Sequence, residues 1–159
     1  MRRIILALSL LAGDAAADPA EHLARGNAWR AQDEFRAALS AYDAGLREAP
    51  GRADLLAERA LTLHRLGEAA AAEGLLVQAI AAAGPREPAP HSARAGLALL
   101  QRDDAAAARD IAEALRRAPK DGRALALRAL LEARRGAGAA PDARVMEELR
   151  HAFGPWLGE

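Results

Sequence analysis

His22, His64, His91 and His151 are the histidines of this chain, and with Ser9, Ser40 and Ser92 they are the leading candidates for metal ligation or nucleophilic work. Their spacing argues against both. No two histidines fall within one helical turn, as a helix-borne zinc site of the His-Glu-x-x-His kind requires. No serine sits in the Gly-x-Ser-x-Gly setting of a nucleophile elbow. Asp103-Asp104 and Glu147-Glu148 are sequence neighbours, so their carboxylates point apart rather than converging on one substrate atom. Cysteine is absent, which removes thiolate ligands, disulfides and a cysteine nucleophile. The expectation is a protein without catalytic, metal or cofactor sites, and so not an enzyme.

The remaining readings concern surfaces. Basic and acidic residues number 22 each and are interspersed, giving a formal net charge of zero. That balance lacks the basic footprint of a nucleic-acid binder, and no nucleic-acid partner is expected. Hydrophobic residues make up 52% of the chain but aromatics only 3%. Much of the apolar content is alanine, the best helix former. Alternating strand patterns are missing, which predicts an all-α chain.

The first residues form a separate unit. Met1-Arg2-Arg3 is basic, Ile4 to Ala12 is apolar, and Gly13-Asp14-Ala15-Ala16-Ala17 places small residues where a signal peptidase cleaves. This pattern predicts a signal peptide over 1–17, removed after Ala17. The apolar stretch is shorter than the ~20 residues of a bilayer span, so no integral membrane anchor is expected in the mature chain. The predicted location is the periplasm or the exterior of a bacterial cell.

From Asp18 onward the chain reads as paired helices. Asp18 is a candidate N-cap, with Pro19 and Glu21 in the first turn. The first helix runs to about Ala31, and the second covers Glu34 to Glu48 before Pro50. Further pairs are Arg52 to Leu66 with Glu68 to Ala83, and a helix ending at Arg102 with Asp104 to Ala118. Asp121 to Arg135 follows, then the break Gly136-Ala137-Gly138-Ala139-Ala140-Pro141, and Asp142 to Phe153 closes the series. Gly26, Ala38, Gly45 and Leu46 return as Ala60, Ala72, Ala79 and Ile80, and again as Ala95, Ala107, Ala114 and Leu115, at offsets of 34 and then 35 residues. Small side chains are needed wherever two helices cross closely. The larger Tyr42, Leu76 and Ile111 recur in step with them, and Pro50, Pro85 and Pro119 end each unit. A fixed period of this length marks a helical-hairpin solenoid.

These residues resemble the tetratricopeptide repeat. Three units carry the pattern, at 19–52, 53–86 and 88–121, with Pro85 displaced by one residue. The fourth, 122–153, departs from it, because Pro141 falls where a small helical residue belongs. The resemblance implies an α-solenoid of about three to four antiparallel hairpins over 18–153. The last helix is expected to cap the stack, with Val145, Met146, Leu149 and Phe153 covering the preceding hairpin. A tail, 154–159, carries Trp156.

The resemblance also implies a concave groove lined by the first helix of each hairpin. By register, the protein-binding residues are Leu23, Asn27, Arg30, Leu61, Arg65 and Leu99, a groove polar near the first repeat and apolar near the third, where it suits a partner helix or extended peptide. A subclass that grips chaperone C-termini would place its clamp on Leu23, Asn27, Glu58, Ala89 and Ala93. Only Asn27 suits that task, and Glu58 would repel a carboxylate. Trp29 is expected in the core. The function implied is an exported adaptor binding a protein or peptide of the cell envelope. The alternative is a self-associating structural component, a homo-oligomer paired through solenoid ends or the Trp156 tail.

Overall fold

The computed structural model describes residues 18–139 and 141–154. The expected signal peptide, 1–17, and Trp156 lie outside the described residues. Within them the chain forms eight α-helices and no strand: α1 (Pro19–Ala31), α2 (Phe35–Glu48), α3 (Ala53–Arg65), α4 (Ala69–Ala82), α5 (Ala89–Leu100), α6 (Asp104–Arg117), α7 (Gly122–Arg134) and α8 (Ala143–Phe153). None of these helices is long and apolar enough to cross a membrane.

Local chemistry sets the helix ends. Asp18, Asp103, Asp121 and Asp142 accept backbone N–H bonds at the starts of α1, α6, α7 and α8, at 2.8–2.9 Å. At the other end, α1, α3, α5 and α7 all finish alike. The residue after the cap turns left-handed, at Asp33, Gly67, Arg102 and Gly136. The next amide then reaches back to the carbonyl of Trp29, Leu63, Ala98 or Glu132. This is the Schellman arrangement, which satisfies the last carbonyls and reverses the chain into the following segment. Two of the four positions are not glycine. Aspartate tolerates the left-handed region, whereas at Arg102 the side chain opposes it and the turn forms nonetheless.

The reversals create three antiparallel hairpins, α1–α2, α3–α4 and α5–α6. Each second helix leans on the first helix of the next unit, and successive first helices also touch. The result is an all-α solenoid of side-by-side hairpins. Ala38, Ala60, Ala72, Ala79, Ala95, Ala107 and Ala114 are fully buried, and Gly26 and Gly45 are buried with them. A methyl group on Gly26 would overlap the Tyr42 ring. In the next two hairpins an alanine replaces the glycine, Ala60 or Ala95, and the ring is replaced by Leu76 or Ile111. Volume is thus exchanged within each pair while the crossing stays tight.

The linker after α4 loosens one junction. It holds Pro85, Pro88 and the one-residue slip of the period, and α4 rests on α5 less extensively than α2 on α3 or α6 on α7. An outer cleft of about 460 Å³ opens there, floored by Leu76, Leu97 and Ala98.

Helix α8 departs from its expected place. It does not simply cap the last hairpin; it touches α7 but also α1, α3 and α5. The long 136–141 segment, ending in Pro141, frees it from folding back on α7 as a normal second helix. Trp29 is likewise not a core residue, being 39% exposed. It lies with Arg25, Ser40 and Ala44 on a groove that, among the described residues, is built from α1 and α2 alone.

Gly26→Ala should lower stability by about 1–3 kcal/mol in urea unfolding, because the crossing cannot absorb a methyl. Gly51→Ala, where an added methyl meets nothing within 4 Å, should change it by less than about 0.5 kcal/mol. Equal effects from both would refute the close-packing argument.

Candidate functional site

The first helices α1, α3, α5 and α7 together form an inner face, and its centre is a buried carboxylate. Glu58 on α3 is 4% exposed. Its Oε2 accepts from Arg30 Nη2 of α1 at 2.8 Å, and its Oε1 accepts from Arg123 Nη1 of α7 at 2.6 Å. Burial alone would raise the Glu58 pKa, but the guanidinium groups of Arg123 and Arg30 outweigh it and hold the carboxyl below its ordinary value. Arg30 Nε also donates to the Tyr42 hydroxyl at 3.4 Å, and that hydroxyl donates to Asn27 Oδ1 at 2.8 Å. Burial raises the Tyr42 pKa, with Arg30 opposing it, so the phenol stays protonated.

Helix α8 lies on this face. Met146, Leu149, Ala152 and Phe153 are buried in one continuous apolar cluster with Leu61 and Leu99. The Phe153 ring occupies the space over Gly96, where any side chain would overlap it. Arg123 stands over the same ring at 5.9 Å. At the C-terminal end of α8 the carbonyls gather cations. Arg30 Nη1 donates to the His151 carbonyl at 3.0 Å, and Arg65 Nη1 donates to those of Arg150 and His151 at 3.1 and 3.2 Å. Positive charge there opposes the negative end of the helix dipole.

The six residues expected to contact a partner are therefore brought to one face but differ in access. Leu61 and Leu99 are fully buried in the apolar cluster that α8 also enters, and Arg30 is 6% exposed and bonded to the His151 carbonyl of α8. Arg65 is mostly buried against Phe35, 4.7 Å from the ring centre. Leu23 and Asn27 remain partly exposed. They border a polar hollow of about 260 Å³ on the inner face, shared with Asp54, Glu58, Ser92 and Arg123. Sequence reasoning missed the roles of Glu58 and Arg123. A signal existed: Glu58 shares a helix face with Leu55 and Thr62, and a charge on a buried face needs a charged partner.

The nucleophile candidates do not assemble. Ser92 Oγ donates to Asp121 Oδ1 at 2.9 Å, while the neighbouring His91 Nδ1 lies 3.1 Å from Asp110 Oδ1. Serine and histidine thus have separate carboxylate partners, and the serine–base bond of a triad is not formed. Asp110 is held further by Arg94, through bonds of 2.7 Å. Asp103 caps α6 and Asp104 pairs with Arg134, so that carboxylate pair diverges. Among the described residues no three histidine, aspartate or glutamate side chains gather as a metal site.

No family model matches the chain, and no curated protein matches it significantly.

Glu58→Gln should cost about 3 kcal/mol at neutral pH, because both arginines lose their counter-charge. The lowered pKa fixes the sign with pH. The stabilisation is complete above the ordinary glutamate value of 4.5 and is lost as the pH falls below it. Unfolding curves of the two chains should therefore converge in acid. A gap that persists unchanged there would exclude the ion pair as its source.

Proposed function

We propose that the protein is a non-catalytic interaction module of the tetratricopeptide-repeat kind, exported to the periplasm or secreted. It would bind a helix or peptide of another envelope protein through its inner face. The observation that carries this reading is the inner face itself. Three of the four first helices, α3, α5 and α7, share one apolar cluster with α8, and α1 adds Arg30 at its edge, so an amphipathic helix is already seated on this face. Such a surface suits helix-in-groove recognition, in which an apolar stripe supplies affinity and the polar edge supplies orientation. The export part rests on the basic, apolar and small-residue succession of residues 1–17.

A photo-crosslinking residue at Asn27, on the partly exposed part of the inner face, should capture one defined envelope polypeptide in cells. The same group at Arg116, on the exposed outer side, should not. N-terminal sequencing of the recovered protein should begin at Asp18. Equal capture from both positions would overturn the binding face, and a chain retaining Met1 in the cytosol would overturn export.

One observation favours self-association as a second reading. Trp29 is exposed on the outer groove of α1 and α2, the first hairpin among the described residues. If the wild-type chain scatters light as a dimer and Trp29→Ser as a monomer, that groove is the interface. A wild-type monomer at high concentration would dismiss it.

A further inference from the structure

We infer that α8 is a built-in, exchangeable occupant of the inner face, and that the partner helix is one that replaces it. Such a helix has bulky apolar residues at i, i+3 and i+7, the last aromatic, and free carbonyls in its final turn. This rests on the inner face being the binding surface proposed above, and it adds what that surface recognises.

Three observations carry it. First, α8 is seated as a ligand would be. It touches one helix from each of the four units and pairs with none as a regular second helix. Second, its attachment is generic. The solenoid grips the apolar stripe Met146, Leu149 and Phe153 and the backbone carbonyls of Arg150 and His151. The charged side chains of α8 that form ion pairs do so within the helix. Arg144 meets Glu148 and Arg150 meets Glu147 at 3.3 Å, and His151 meets Glu147 at 3.1 Å. Another helix with the same stripe and different surface charges would therefore meet the same donors. Third, the tether permits exchange. Residues 136–139 are exposed and include Gly136 and Gly138, so α8 can lift away without unwinding α7.

The tether also sets the threshold for exchange. A covalently linked helix competes at an effective concentration on the order of millimolar. A weak partner is excluded, and only one that binds well below that concentration opens the face.

The test uses the full chain, with a synthetic peptide of residues 141–154 as probe. In hydrogen exchange followed by mass spectrometry, α8 amides should exchange faster than those of α3 and α5, and faster still with excess peptide. Phe153→Ala should weaken the resident helix and raise peptide affinity by about a hundredfold. Gly96→Ala should also release α8 but abolish peptide binding, because its methyl takes the place of the ring. Matching exchange in α8, α3 and α5, unchanged by peptide, would overturn the inference. So would a Phe153→Ala chain that stays folded and binds no peptide, or one whose helices all lose protection together. These measurements need no cellular partner, so a failed capture at Asn27 leaves them independent.

Discussion

The structure turns on a carboxylate that two arginines keep ionised inside protein. Glu58 on α3 reaches Arg30 on α1 in one direction and Arg123 on α7 in the other, skipping α5. Four parallel first helices spaced by about 8–10 Å would span well over 20 Å if laid flat. An eleven-residue helix is only about 16 Å long, yet α8 touches all four. Both facts fit a face that curves inward. Glu58 holds its two neighbours across that curve. A buried ion pair adds little net stability over an apolar equivalent, since desolvation offsets most of the attraction. Its effect here is geometric, because only one arrangement of α1, α3 and α7 brings both guanidinium groups to one carboxylate.

The small residues beneath it explain why hairpins stack at all, and these were legible in the sequence. Gly26, Ala60 and Ala95 recur because a close helix crossing admits no larger group, and steric limits of that kind leave a direct trace in residue type. The turns at residues 33, 67, 102 and 136 were only half legible. Gly67 and Gly136 announce a left-handed residue, whereas Asp33 and Arg102 adopt it without glycine's freedom and so leave little trace in residue type.

What a register cannot supply is the identity of the opposing surface. Periodicity placed Arg30, Leu61 and Leu99 on the inner face, but nothing in their spacing tells that a later helix joins their cluster and takes a bond from Arg30. The same limit misplaced α8. Met146, Leu149 and Phe153 form a stripe that could rest on a terminal hairpin or lie across a groove, and the stripe looks identical in both cases. Gly96 held the deciding information, since a side chain there would exclude Phe153. Trp29 failed in the opposite sense. Its type suits a core, but it stands on the first hairpin among the described residues, with no other described helix over its groove.

Arg30 joins the internal pin to the surface it shapes. One nitrogen of its guanidinium holds Glu58, another faces the Tyr42 hydroxyl, and a third holds the His151 carbonyl. Removing α8 would free only the last of these. The planar fork would stay fixed by the other two, with its remaining donor aimed at the place a helix terminus must occupy. A donor ordered in advance loses little conformational freedom when a new acceptor arrives. The buried ion pair therefore does more than bend the solenoid. It keeps the inner face poised for a helical occupant whether or not the chain's own helix is the one in place.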